Sequence, residues 1–157
     1  MTSLLLRNLF FTILQPGLVV GLFPYLIVKE VSTELFNSSL NLFQCAAIIM
    51  FASGLFILLS CIFRFASEGR GTLSPADPTK KLVINGLYKY SRNPMYIGVI
   101  LMLIAEAVFF LSNSLWFYLT IVFIAFNLFI LLHEEPRLRK DFGQEYLEYC
   151  KKVRRWI

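Results

Sequence analysis

Two short stretches hold most of the groups able to do chemistry. "KYSRNPMYIG", residues 89–98, sets Lys89, Arg92, an Asn-Pro pair, Tyr90 and Tyr96 in front of an apolar run, and "LLHEEPRLRK", residues 131–140, sets Glu134 and Glu135 at the end of another. Asn93 followed by Pro94 is a helix-start signal, because Asn can cap and Pro at the first helical position has a suitable φ and no amide hydrogen to leave unpaired. The next amides, from Met95, Tyr96 and Ile97, are then free to attract an anion such as a carboxylate, with Arg92 beside them. The glutamate pair poses the opposite problem. At a helix C-terminus, where the pattern puts it, the macrodipole disfavours negative charge and the two carboxylates repel each other. Either Arg137, Arg139 and Lys140 compensate, with Glu135 capping a new helix at Pro136, or the carboxylates face a cationic or hydroxyl-bearing ligand.

The elements that must position these residues are membrane helices. The chain has 157 residues, 57% of them hydrophobic, and a mean hydropathy of +0.67, more apolar than one soluble core requires. Four runs, about 9–28, 40–63, 95–111 and 115–132, are long enough or nearly so to cross a hydrocarbon layer at about 20 residues each, and Glu106 is the one charged residue in them. The expectation is an all-α integral membrane protein of one domain, 1–157, with four transmembrane helices. Pro16, Gly17, Gly21 and Pro24 make the first run the least regular, with a kink near Pro16. It follows Arg7 but has no small-residue cleavage site, so it is read as a retained span.

Charge sets the orientation. Apart from Lys29, every Lys and Arg falls on one side: Arg7, the connector with Arg64, Arg70, Lys80, Lys81, Lys89 and Arg92, and the tail from Arg137 to Arg155. The positive-inside rule makes that side cytoplasmic, together with both termini and segments 69–98 and 133–157. The net charge of +5 then belongs to anionic headgroups rather than nucleic acid. In the tail, Leu138, Phe142, Tyr146, Tyr149, Val153 and Trp156 recur at steps of three and four, the stripe of an amphipathic helix lying on the membrane surface. Cys45 and Cys61, about 24 Å apart on one helix, cannot pair, and Cys150 is cytoplasmic, so free thiols are expected.

Because "SNS" is a short outer turn, the third and fourth spans form a hairpin, and residues 93–96 and Glu134 lie at one depth on neighbouring helices. An anion site and a carboxylate thus converge at the cytoplasmic mouth. Two further polar residues stand apart. Glu106 lies about 15 Å along the helix from Tyr96 and is read as a structural hydrogen-bonding group, with Asn127 a candidate partner. His133, the lone histidine, is read as interfacial, with a role as base the alternative.

The stretches "KKLVINGLYKYSRNPMYIG" and "EEPRLRKDFGQEYLEYCKKVRRW" together resemble the isoprenylcysteine carboxyl methyltransferases and their bacterial and phospholipid-methylating relatives. The similarity runs from about Gly69 to the C-terminus, and the first two spans match only in being spans. It implies S-adenosylmethionine as methyl donor, with Lys80, Lys81, Leu82, Val83, Tyr88, Asn93, Pro94, Met95, Tyr96, Glu134 and Glu135 around the cofactor and with Arg92 and Glu134 in catalytic roles. No metal is implied. The expected acceptor is a lipophilic small molecule or lipidated substrate drawn from membrane lipid, most directly a carboxylate, with a phospholipid-type amine as the alternative. Three departures bear on this: Asn93 replaces the usual His, Lys80 stands where eukaryotic enzymes have His, and Ile130 replaces an Arg implicated in holding the substrate carboxylate. Sterol reductases, which resemble this fold in their C-terminal part and bind a nicotinamide cofactor, and a non-catalytic membrane protein are the other classes in view.

Overall fold

The computed structural model describes residues 16–29, 40–68 and 81–156, and these are helical with no strand among them. Five helices follow in order: α1 (Gly17–Val28), α2 (Leu42–Glu68), α3 (Pro94–Phe109), α4 (Asn113–Phe129) and α5 (Glu135–Lys152). Two helical runs, Leu42–Arg64 and Asn113–Lys152, are long and apolar enough to cross a membrane, while Gly17–Val28 and Pro94–Phe109 are shorter apolar helices. Residues 9–15 of the first expected span, most of the outer connector with Glu30 and Glu34, and connector residues 69–80 including Lys80 lie outside the described residues.

α2 opens with a capping box: the Asn41 amide donates to Gln44 Oε1 at 3.0 Å, and the Gln44 amide to Asn41 Oδ1 at 2.9 Å. It then packs along α3 with backbones in near contact. A Cβ added at Gly54 would lie 2.7 Å from the Gly98 carbonyl oxygen, and one at Gly98 would lie 2.8 Å from that of Gly54. Small residues at a crossing let backbones approach where no hydrophobic force drives helices together. Leu58, Val99, Met102, Leu103, Leu119 and Val122 form the main core between α2, α3 and α4. Phe43, Ile49, Phe56 and Phe63 on α2 and Phe117, Ile124 and Leu132 further on stay exposed, an apolar exterior that suits lipid.

Two helices carry a π-helical turn directly before a proline. In α1 the turn spans Gly17–Leu22 and Pro24 follows at the second position of the α-helical part; between α4 and α5 the turn spans Ile130–Glu134 and Pro136 follows. Proline lacks an amide hydrogen and crowds the carbonyl four residues back, and the wider turn relieves that crowding. The Val19 carbonyl, which would be the π partner of the amide Pro24 lacks, accepts the Tyr118 hydroxyl at 2.9 Å. The described irregularity of this run is the π turn itself, which begins directly after Pro16, and the residues before Pro16 lie outside the described residues.

The second π turn corrects an expectation. α4 does not end at the glutamates: the helix runs on from Asn113 through the π turn into the first part of α5, and the Glu135 amide donates to the Ile130 carbonyl. The macrodipole penalty inferred for Glu134 and Glu135 therefore does not apply, since neither residue sits at a free helix end. The tail differs too. α5 breaks at Gly143 (φ 49°, ψ −121°), a conformation open to a residue without Cβ, and the chain folds back. Tyr146, Tyr149 and Val153 then bury against Leu138, Phe142, Cys150 and Leu82. Much of the stripe expected to face lipid is consumed between the two halves of α5.

Candidate functional site

The Pro94 start of α3 occurs as expected, but by backbone rather than side chain. Asn93 is the N-cap without a side-chain capping bond, and its Nδ2 donates instead to the Arg155 carbonyl at 3.0 Å. The Asn93 carbonyl takes the Ile97 amide at 3.3 Å, so that amide is not free for an anion. Asn93 and Pro94 are buried, and Met95 is half-buried between two core clusters.

From the first turn of α3, Tyr96 reaches the π turn. Its hydroxyl donates to Glu134 Oε2 at 2.9 Å, and its ring packs on Phe126 of α4 at a centroid distance of 4.7 Å. Two motifs 38 residues apart in sequence therefore meet through one hydrogen bond. Burial pushes the Glu134 carboxyl above the usual carboxylate range, and the Tyr96 hydrogen bond and the Arg137 charge offset this only in part.

Glu135 faces a different set of groups. Arg155 engages it through Nε to Oε1 at 2.8 Å and Nη2 to Oε2 at 3.1 Å, Arg92 Nη1 donates to Oε1 at 3.2 Å, and Arg139 Nη2 lies 3.5 Å from Oε2. Burial alone would raise this carboxyl, but Arg155, Arg92 and Arg139 together hold it below its ordinary value. Arg92 Nη1 also lies 3.4 Å from the Tyr146 hydroxyl and 2.9 Å from Cys150 Sγ. Burial raises the Tyr146 phenol to about 12, so it meets Arg92 as a neutral oxygen. The Arg92 Nε–H is buried and has no partner among the described residues.

The remaining expected site residues divide. Tyr88, on a 3₁₀ turn at Gly86–Lys89, is buried with Val83 and Cys61, hydrogen-bonds to Cys61, and gives its carbonyl to the Tyr149 hydroxyl at 2.6 Å. Its hydroxyl meets Cys61 of α2, and it also lies within the electrostatic reach of Glu134. Leu82 packs on the tail cluster, Lys81 is exposed, and Lys80 lies outside the described residues. His133 is exposed and stacks on Phe129 at 5.6 Å. Asn127 does not pair with Glu106: its amide donates to the Phe123 carbonyl, its Oδ1 accepts the Trp156 indole, and Glu106 Oε2 stays buried without a partner.

Arg155, Ser91 and Trp156 were not expected at the site. Arg155 is one of many basic residues in the tail, and neither its type nor its spacing separates it from Arg154 or Lys152. The fold-back at Gly143 alone returns it to Glu135.

The family of phospholipid methyltransferases matches residues 42–145, which hold Arg92, Tyr96, Glu134 and Glu135. The chain is also 41% identical over 64 residues, 40% of its length, to the whole of an uncharacterized protein of Haemophilus influenzae (strain ATCC 51907 / DSM 11121 / KW20 / Rd). No solved structure matches. A match over more than half of the chain, centred on two motifs that the fold joins by the Tyr96–Glu134 hydrogen bond, identifies this protein as a member of the phospholipid methyltransferase family.

Proposed function

We propose that this protein is a membrane methyltransferase that takes its methyl group from S-adenosylmethionine and passes it to a lipophilic acceptor at the cytoplasmic face. The observation that carries this is the 2.9 Å bond between Tyr96 and Glu134, next in the chain to the Glu135 that Arg92 engages. The residues present fit the cofactor. The orphaned Nε–H of Arg92 suits an anionic group, the Glu134 carboxylate suits an ammonium or ribose hydroxyls, and the tyrosine face suits a cation. When bound, S-adenosylmethionine supplies an electrophilic methyl group on a sulfonium. The protein's part is to bind, to align acceptor and donor, and to keep water out. Of the other residues implied by resemblance, Leu82 packs on the tail, Val83 and Met95 pack with Cys61 and Tyr88, Pro94 starts α3, and Tyr88 and Glu135 hold the tail in place.

The acceptor reading shifts between the two candidates. A carboxylate needs no base, which favoured it from the sequence. In the fold, however, Ile130 is fully buried, and Arg92, Arg139 and Arg155 are all engaged by Glu135. An amine must first lose a proton, and the Glu134 carboxyl, which burial raises from its ordinary value, stands beside Tyr96 as the candidate base. We favour the amine headgroup. For topology, four crossings with both termini and the site on the cytoplasmic side remain the arrangement that best accommodates the exposed apolar helices.

Calorimetric titration of detergent-purified protein with S-adenosylhomocysteine tests the central claim, and no binding at millimolar ligand would overturn it. Glu134→Gln should weaken that binding about ten- to a hundred-fold, the worth of one charge-assisted hydrogen bond. Labelled donor incubated with lipid extract distinguishes the acceptors, since an ester product is labile to mild base and a methylamine is not. Labels after Ser38 and after Ile157 should react from opposite sides of the membrane.

A further inference from the structure

Resting on that cofactor reading, we infer that the four residues Val153–Trp156 form a positioning strap that sets Arg92 relative to Glu134, with Arg155 as its principal residue. After Lys152 the helix ends and Val153 turns extended (φ −125°, ψ 130°), buried with Tyr146 and Tyr149. From there each residue ties the tail to a different part of the site. The Arg154 carbonyl accepts the Arg92 amide at 2.9 Å. The Arg155 carbonyl accepts two donors, Ser91 Oγ at 3.1 Å and Asn93 Nδ2 at 3.0 Å, which fills both of its lone pairs. The Arg155 guanidinium grips both oxygens of Glu135, a two-bond geometry that fixes orientation as well as distance. The Trp156 indole donates to Asn127 Oδ1 at 3.2 Å, and its ring lies 5.5 Å from Phe123 on α4.

The tail therefore adds a second set of ties to segments that also meet directly through Arg92 and Glu135: the connector at 91–93, Glu135 after the π turn, and the later turns of α4. No hydrogen bond or ion pair among the described residues joins the strap to Tyr96 or Glu134, and the atoms closest to Gly54 and Gly98 at the α2–α3 crossing belong to α2 and α3. The strap's load is borne by Arg92, whose backbone it holds directly and whose side chain it holds through the shared carboxylate of Glu135. Its residues lie outside the stretch 42–145 matched by the family.

The test uses the full chain in detergent with Arg155→Ala, Arg155→Lys and a truncation after Lys152, and it has two arms. In cofactor-free protein, hydrogen exchange at the Arg92 amide should quicken at least ten-fold in the truncated form, while amides within α3 from Gly98 to Ala107 keep their protection. In the second arm, S-adenosylhomocysteine affinity should fall about ten-fold in Arg155→Ala, with Arg155→Lys recovering part of the loss because Lys restores the charge without the fork. Unchanged exchange at Arg92 on truncation overturns the strap, as does wild-type affinity in Arg155→Ala. If the unaltered protein binds no S-adenosylhomocysteine, the cofactor reading fails, and the exchange arm still decides whether the tail orders Arg92.

Discussion

Glu134 and Glu135 are neighbours in the chain and opposites in environment. Glu134 has a tyrosine hydroxyl for its direct partner and sits where burial disfavours its charge; Glu135 is the meeting point of three arginines and is held charged. The first is the pattern of a group kept for a ligand, the second that of a group used up by the fold. A buried carboxylate is thus informative by what is left unpaired around it, not by its burial.

The comparison can be broken most forcefully at Glu135. Glu135→Ala leaves Arg92 and Arg155 facing each other without their shared acceptor, and unfolding in detergent should show a loss of about 3 kcal/mol, the lower end of the range for a broken buried pair because Arg155 and Arg139 reach solvent. A loss below about 1 kcal/mol would make Glu135 as dispensable as a surface ion pair. Next in size is Gly143→Ala. An added Cβ meets nothing within 4 Å, so the cost is backbone conformation alone, about 1–3 kcal/mol. In the Glu135→Ala background that cost should shrink, because the fold-back no longer delivers Arg155 to a partner; strict additivity would uncouple the two.

Glu134→Gln should change stability by no more than about 0.5 kcal/mol, in either direction, while its effect falls on ligand affinity. The smallest effect is in pH dependence, and its sign differs for the two residues. Glu134, raised in the folded state, favours folding most below its unfolded pKa, and that contribution is lost as pH rises towards the folded value. Glu135, lowered in the folded state, contributes stability that is present above its unfolded pKa and lost as pH falls through the folded value. Melting temperatures of Glu134→Gln and Glu135→Gln against wild type, from about pH 3 to about pH 8, should therefore diverge in opposite senses towards neutrality. Parallel curves would mean the two carboxylates share one environment.

What the sequence revealed follows from what spacing can carry. The helix start at Pro94 and the convergence of Tyr96 with Glu134 were legible, because a Pro at N1 and a short hairpin turn are local signals that fix depth. The break at Gly143 was not. Phe142 and Tyr146 stand four apart, so the apolar stripe keeps its helical period straight through the fold-back, and a single Gly in a helical pattern costs only about 1 kcal/mol. The continuity of α4 into α5 was hidden for a related reason: Pro136 reads as a helix boundary, whereas one π turn upstream lets the helix pass it. Arg155 had no signal at all, since its role depends on where the chain returns.

That π turn holds one residue more than an α turn would. Each residue of an α-helix advances about 100° around the axis. The wider turn spreads one revolution over the extra residue, so removing a residue before His133 and letting the turn relax to regular α geometry would leave Glu134, Glu135 and every later side chain on nearly the same bearing. The surplus residue is slack in the chain: its loss would be absorbed by the turn, and both acids would keep their assignments.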